Sequence, residues 1–506
     1  MKKKSKKELL MAGGLALEIL VVLLFLNARI NALLDSDMSS EMVLAQLLAK
    51  ENAALSTHWY YSTELRVLNT QLLYAFFFKL SNNWHWIRMA SIICLWCIII
   101  GIYYFWACAE GCKKYFLITA LLLLAPISED YYIPHIAIAF AALAMNELYM
   151  KAQRESRKLW LVVSVLLAFV AGLGGPREII ALYGPIGVAA AAELLNKKNK
   201  TRWQQFIYAT FVGAAALLGY ALNMLVLARI YHFATWGWLG FQLADGSRMV
   251  EIFSSFLQLF GARGTGTEYV FTCAVSVMWI VLTIGCIVYA YTHEVSDGYR
   301  RLADFTVAVY LLYFLLYSVT NMLFSARYGI LNTVLSIPLL AMAANEVHLN
   351  ESKRQWLLAV VATATIVGGA LVLFRIAGED QTTAQRDVTE KLLAEGYVNG
   401  YATFWNANVL TELSDGKIEV WQWCGGQDLP EHSSDIDDMT QWLQLASHMV
   451  EHPSGKVFAL FTREEFESNP WRKNLHPEDV IYENEEYIVM SYPDHDTMKA
   501  TLEKGL

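Results

Sequence analysis

The chain has 506 residues, of which 56% are hydrophobic and only 17% are charged, and its formal net charge is −8. Soluble domains carry about 25% charged residues, so this composition excludes an ordinary soluble protein. The acidic excess is concentrated in residues 376–506, which hold nine Lys/Arg and 25 Asp/Glu. An acidic segment of this size argues against a nucleic-acid partner.

Repeated apolar runs predict an α-helical polytopic membrane protein, because a helix needs about 20 apolar residues to cross the hydrocarbon. About eleven spans are expected, at residues 9–30, 87–106, 115–127, 136–150, 159–175, 179–195, 206–228, 270–292, 305–322, 329–345 and 357–375. The first run follows the basic start "MKKKSKK". It is too long for a signal peptide, and no small-residue cleavage site follows it, so an uncleaved span is expected.

The distribution of Lys and Arg predicts the orientation in the membrane. Basic loops such as "KAQRESRK" and "NKKNKTR" alternate correctly if the N-terminus is cytoplasmic, which agrees with the positive-inside rule. An odd number of spans then places the C-terminus outside the cytoplasm. We expect a transmembrane domain over 1–377, with a long first outer loop at 31–86, and an extracytoplasmic α/β domain over 378–506.

The outer loops and the tail contain further predicted elements. Apolar spacing predicts amphipathic helices at 39–51, 68–80 and 247–264, lying at the membrane interface. In the tail it predicts helices at 383–396 and 437–450, strands at 401–405, 417–423 and 456–461, and a hairpin at 479–492. The tail contains no phosphate-binding loop, metal-ligand spacing or catalytic-triad signature.

Acidic residues at the exit of the first span are candidate catalytic groups. Asp35 and Asp37 come directly before a predicted helix, so one interpretation is that they cap it. The other is that one of them is a general base at the membrane surface. Glu41 lies four residues after Asp37 and shares its helix face. Glu41 is therefore a candidate for orienting an acceptor or for holding a divalent cation together with a neighbouring carboxylate.

Other charged residues fall at the outer ends of spans. Glu129 and Asp130 lie in the predicted second outer loop, and His135 follows shortly after. These residues either are solvated or help to orient an acceptor or to bind a metal ion. Arg177 in "GGPRE" and Arg327 in "SARY" either reach the lipid headgroups or bind a phosphate.

The order of these motifs resembles that of the membrane glycosyltransferases of the C superfamily, which include protein O-mannosyltransferases and the aminoarabinose transferase of lipid A. In that group an acidic motif opens the first outer loop, and a Trp-containing stretch, an interface helix and an arginine motif follow it. The matching segments here are "DSDMSSEMVLA", "THWYY", "NTQLLYAFFFKLSN" and "WHWIRMAS". Later matches are "SEDYYIPH", "LGGPREI" and "RYGILNTVLSIP", so the resemblance covers roughly residues 10–345.

The resemblance implies a transferase that uses a polyprenyl-phosphate sugar and an extracytoplasmic glycan, lipid or protein acceptor. By position Asp35 is the expected base and Asp37 the runner-up, with inversion at the anomeric carbon. Glu129 or Asp130 would orient the acceptor or bind a metal, and Arg177 and Arg327 would hold the leaving phosphate. A divalent cation, Mg²⁺ or Mn²⁺, is compatible but not required. The alternatives are a transporter or flippase for a lipid-linked saccharide and a non-catalytic envelope scaffold.

Overall fold

A computed structural model describes residues 6–124, 132–195, 200–233, 240–322, 326–424 and 435–504. Most of these residues are helical. The first nine α-helices are α1 (Lys6–Arg29), α2 (Ser36–Glu51), α3 (Gln71–Phe78), α4 (Trp84–Glu110), α5 (Phe116–Leu124), α6 (Ile133–Lys151), α7 (Arg154–Leu173), α8 (Gly184–Leu195) and α9 (Arg202–Leu225). The others are α10 (Gly246–Leu259), α11 (Gly266–Thr292), α12 (Asp297–Val319), α13 (Ile330–Glu346), α14 (Glu351–Gly378), α15 (Thr383–Ala394), α16 (Phe404–Leu413), α17 (Arg463–Ser468) and α18 (His495–Leu502).

The predicted α-helical membrane architecture is confirmed, since helical segments occupy most of the described residues in each of the eleven predicted apolar stretches. Among the residues that the structure describes, eight helical segments are long and apolar enough to cross a membrane. The stretches at 179–195 and 330–346 are shorter, and α5 is described only as far as residue 124. The number of true crossings stays a prediction.

The chain forms two compact units. Unit 1 comprises 1–24, 93–226 and 235–378 and contains most of the apolar helices. Within it, α7 and α9 pack backbone to backbone through two glycines. A Cβ on Gly172 would lie 2.1 Å from the carbonyl oxygen of Ala216, and one on Gly219 would lie 2.2 Å from that of Phe169. Small residues allow this close approach in membrane helices, where van der Waals packing drives association.

Unit 2 comprises 25–92, 227–234 and 379–506, so residues 31–86 and the C-terminal segment belong to one compact body. Its described strands are β1 (Trp59–Tyr60), β2 (Asn399–Ala402), β3 (Glu419–Gln422), β4 (Gln444–Leu445), β5 (Val457–Thr462), β6 (Val480–Glu483) and β7 (Tyr487–Tyr492). The larger sheet has the strand order β3-β2-β5-β7-β6, and a second, two-stranded sheet joins β1 to β4. Strand β2 is parallel to β3 and β5, whereas β7 is antiparallel to β5 and β6. The predicted domain division at residue 378 stays a prediction.

Several predictions for unit 2 are confirmed. Helix α15 and the β6–β7 hairpin lie where the sequence placed them, and Gly396, just after α15, has a φ of +75° that suits a helix end. The predicted helices at 39–51 and 68–80 are present as α2 and α3. In unit 1, the predicted helix at 247–264 is present as α10. Their location at a membrane interface stays a prediction.

Two predictions for the tail are wrong. Residues 437–450 do not form an α-helix but a turn, strand β4 and a 3₁₀ turn at Ala446–Met449. Strand β4 pairs with β1, so a partner almost 400 residues away decides its conformation. The predicted strand at 401–405 ends at Ala402, and α16 begins at Phe404 after an extended Thr403.

Candidate functional site

The two acidic residues proposed as bases lie at the N-terminus of α2, in unit 2. Asp35 is exposed and is the N-cap, since its Oδ1 accepts a hydrogen bond from the backbone N–H of Met38 at 2.8 Å. Asp37 is half-buried in the first turn, and its backbone carbonyl accepts a bond from the Ser40 hydroxyl at 2.6 Å. The capping interpretation therefore holds for Asp35. A carboxylate has about four lone-pair sites, so the cap leaves it able to accept a proton. The catalytic role of both residues stays a prediction.

Glu41, the third acidic residue of this helix, is buried and paired. Its Oε1 lies 3.3 Å from Nη1 of Arg66, and its Oε2 accepts a hydrogen bond from the Thr70 hydroxyl. Glu41 and Arg66 are 1% and 3% exposed. Because a buried charge without its partner is costly, this pair fixes α2 against the segment before α3. Arg66 was missed by the sequence reasoning, and nothing in its spacing points to it.

A second buried ion pair holds α2 in place. Arg88, in the first turns of α4, donates from Nε and Nη2 to the two carboxylate oxygens of Glu412, both at 2.8 Å. Its Nη2 also donates to the backbone carbonyl of Met38 at 3.1 Å. The two charged side chains are 1% and 5% exposed. Arg88 falls in "WHWIRMAS", so the motif marked it, but its partner lies 324 residues further along the chain.

In unit 1, Arg177 is held between two aromatic rings. Its guanidinium carbon lies 5.2 Å from the ring centroid of Tyr132 and 5.3 Å from that of Tyr328. Such cation–π contacts stabilise a cation where it is partly removed from water. The turn that carries Arg177 begins at Gly175, whose φ of +136° favours glycine. A π-helical turn, Ile179–Tyr183, follows, and such irregular turns are frequent at functional sites.

Arg177 lines a cavity of about 260 Å³ in unit 1. Four tyrosines, Tyr220, Tyr313, Tyr317 and Tyr328, also line it. So does Asn332, which is 1% exposed, and neither atom of its side-chain amide hydrogen-bonds any residue that the structure describes. Leaving buried polar atoms unsatisfied costs about 1–3 kcal/mol, so the cavity is suited to a polar ligand group at Asn332.

His135 contacts Glu178, which directly follows Arg177 in the chain. Nδ1 of His135 lies 2.5 Å from Oε1 of Glu178, the residue after Arg177, and the side chains are 18% and 8% exposed. This contact joins the start of α6 to the Arg177 turn. Among the other predicted residues, Glu129 and Asp130 lie outside the described part of the chain. The backbone of Arg327 belongs to a 3₁₀ turn, Ala326–Gly329, but its side chain also lies outside the described part.

Sequence comparison gives no relative, since no protein-family model and no curated protein matches the chain. Comparison of structures finds chains with a similar fold. The fold is similar to the crystal structure of ArnT from Cupriavidus metallidurans bound to undecaprenyl phosphate, with a TM-score of 0.56 and 11% identity over 95% of this chain and 98% of that chain. The apo structure of the same protein gives a TM-score of 0.54 and 10% identity over the same shares. The predicted resemblance and fold class are thus confirmed at the level of the fold.

Proposed function

We propose that this chain is a membrane glycosyltransferase that moves a sugar from a polyprenyl-phosphate donor to an extracytoplasmic glycan, lipid or protein acceptor. The observation that carries the proposal is the unit 1 cavity, which joins a cation held between aromatic rings to a buried amide without a described partner. The fold supports it, since a protein with the same fold binds undecaprenyl phosphate. The proposal includes a cytoplasmic N-terminus and an external domain at 378–506.

The cavity residues suit a sugar phosphate. A guanidinium offers donors in a planar fork that matches phosphate oxygens, and the flanking rings restrict the orientation of Arg177. The amide nitrogen of Asn332 would donate to another phosphate or sugar oxygen. As the bond between sugar and phosphate breaks, negative charge grows on the phosphate, and fixed donors stabilise that charge most strongly away from water. Arg327 is the second proposed phosphate ligand.

In the proposed reaction a carboxylate of the α2 N-terminus takes the proton from the acceptor nucleophile. The nucleophile forms its bond to the anomeric carbon on the face opposite the phosphate, while the carbon–oxygen bond to the phosphate breaks and its electron pair leaves with the phosphate. Attack from the opposite face gives inversion. Asp35 is the first candidate for this base and Asp37 the second. The buried Glu41 acts as a positioning residue for α2 through Arg66. Glu129, Asp130 and His135 are proposed to orient the acceptor, and Mg²⁺ or Mn²⁺ could assist there.

Binding of undecaprenyl phosphate to the purified full-length chain in detergent tests the phosphate site. Arg177→Ala should weaken binding at least about tenfold, because a hydrogen bond to a charged group contributes about 1.5–3 kcal/mol and 1.4 kcal/mol is a factor of ten. Arg177→Lys keeps the charge but loses the fork, so it should fall between Ala and wild type. Arg154→Ala, on the exposed start of α7, is the control and should bind normally.

A second cavity of unit 1, about 190 Å³ and lined by Arg263, supplies a competing location for the phosphate. If Arg263→Ala abolishes binding while Arg177→Ala does not, the assignment of the phosphate site is wrong. If wild type fails to bind the lipid at all, the transferase proposal itself fails, and the result favours the non-catalytic scaffold. A flippase would bind the lipid and move it between leaflets, and its glycan product would survive replacement of Asp35.

A further inference from the structure

Three metal-ligand side chains meet in the C-terminal segment of unit 2, outside the proposed transfer site. Asp437 lies in the turn before β4, His452 follows the 3₁₀ turn at 446–449, and His495 is the first residue of α18. Nε2 of His495 lies 3.2 Å from Oδ1 of Asp437, and Nδ1 of His452 lies 3.8 Å from the same oxygen. One ligand atom from each residue lies within 4.8 Å of both others.

These distances fit a single metal ion. Zinc bonds to imidazole nitrogen and carboxylate oxygen are about 2.0–2.2 Å, so two ligands on a tetrahedral ion are about 3.3–3.6 Å apart. The observed separations of 3.2 and 3.8 Å lie on either side of that range. The two imidazole rings are held face to face, with centroids 3.9 Å apart and planes 6° from parallel. A nitrogen lone pair lies in the plane of its ring, so the two rings would have to tilt toward each other for both nitrogens to point at one ion, and His452, which is 42% exposed, is the less enclosed of the two.

Oδ1 of Asp437 is itself unsatisfied. It is buried, and it accepts no hydrogen bond from any residue that the structure describes, although an imidazole nitrogen lies within 3.2 Å. That nitrogen is close enough but not aligned as a donor. A cation held between these atoms would satisfy the buried oxygen, and two imidazoles with one carboxylate are a donor set preferred by zinc and related transition metals.

The surroundings supply the second layer of contacts that metal sites require. Nδ1 of His495 hydrogen-bonds the buried hydroxyl of Tyr401 at 2.8 Å, which restricts the orientation of the ring whose Nε2 lies 3.2 Å from Asp437. The other oxygen of Asp437 accepts a hydrogen bond from the ammonium group of Lys499. That ammonium also lies 3.2 Å from Asp435 and 3.8 Å from Glu503. Three carboxylates against one ammonium leave two negative charges, which a divalent cation would balance.

We propose that Asp437, His452 and His495 bind a divalent transition-metal ion, best matched by Zn²⁺, which clamps the start of α18 to two loops of unit 2. With three protein ligands, a fourth position stays open for water or another ligand. The role follows from the connectivity, since the ligands come from three segments separated by 15 and 43 residues. Metal binding would stabilise the folded unit in proportion to the free ion concentration.

Zinc titration of the tag-free, chelator-treated full-length chain in detergent, by calorimetry and by metal analysis after dialysis, tests the site. Wild type should bind about one ion per chain, with a raised Tm. His452→Ala and Asp437→Asn should each weaken binding at least about tenfold and lose the Tm shift. His452 is 42% exposed, so its replacement leaves folding intact. The exposed His476→Ala is the matched control and should behave as wild type.

A variant of the second layer and a spectroscopic probe sharpen the test. Tyr401→Phe should weaken zinc binding by about 10–100-fold without removing a ligand, as outer contacts do elsewhere. Co²⁺ in place of zinc should give the visible absorption of a four-coordinate ion in wild type and lose it in His452→Ala. Equal zinc binding by wild type and His452→Ala, or the lack of a Tm shift in wild type, would overturn the proposal. Neither readout depends on sugar transfer, so its failure is separate from failure of the transferase.

Discussion

Separation of the buried pair Arg88–Glu412 should sharply destabilise unit 2. The two side chains are 1% and 5% exposed and share two hydrogen bonds of 2.8 Å. Removal of one partner leaves an uncompensated buried charge, which costs about 3–5 kcal/mol. Glu412→Gln keeps one acceptor for Arg88 and should fall near the lower end. Arg88→Met also deprives the Met38 carbonyl of a donor and should fall near the upper end.

The assay is equilibrium unfolding of the purified chain in mild detergent, in which the unfolded fraction is measured by the susceptibility of the C-terminal segment to proteolysis. The double variant Arg88→Met with Glu412→Leu removes both charges, and it should recover most of the lost stability. The exposed Arg472→Met is the control and should change stability by less than about 0.5 kcal/mol. If both single variants at the pair stay within about 0.5 kcal/mol of wild type, the pair does not hold the loop to the C-terminal segment.

Three further predictions concern other parts of the molecule. Gly400→Ala should destabilise by about 1–3 kcal/mol in thermal unfolding, because the new Cβ would lie 2.3 Å from the Phe458 ring; normal stability would mean that the ring moves away freely. Asn332→Leu should raise Tm without ligand by removing buried unsatisfied atoms, yet weaken binding of undecaprenyl phosphate; a lowered Tm would show that the amide is satisfied. The hydrogen bond with His448 and its charge hold the pKa of Glu419 below its ordinary 4.5. The stability this pair contributes is present above pH 4.5 and is lost as pH falls through the lowered pKa. It is below about 1 kcal/mol because Glu419 is 48% exposed. Unfolding at pH 3–5 should therefore lose part of its pH dependence in Glu419→Gln, and an unchanged profile would contradict this.

Local signals explain what could be predicted from the sequence. An apolar run long enough to cross a bilayer has few structural options, so the apolar helices were predicted correctly. The hairpin at 480–492 is also local, since its strands are adjacent in the chain. By contrast, residues 437–450 have helical apolar spacing but do not form a helix, because β4 pairs with β1. No local window of sequence includes both strands, so this pairing could not be predicted from spacing.

The candidate sites show the same division between local and distant contacts. Asp35 was recognisable as a cap or a base because both roles depend on its place before α2. The motif around Arg177 singled it out as a candidate phosphate ligand. Its enclosure by Tyr132 and Tyr328, however, depends on segments that are distant in the chain. Asn332 gave no signal, because an asparagine in an apolar helix is notable only once its lack of described partners is known. The three ligands of the proposed zinc site are separated by 15 and 43 residues and follow no known spacing rule, because the fold and not the local sequence brings them together.

Glycan profiling of a strain that lacks this protein tests the central claim most directly. The strain should lose a surface sugar modification that the wild-type gene restores. Asp35→Asn, produced at normal abundance, should fail to restore it, and the control Arg154→Ala should restore it fully. Complete restoration by Asp35→Asn and by Asp37→Asn would contradict the assignment of the base. An unchanged glycan profile in the strain without the protein would contradict the transferase itself.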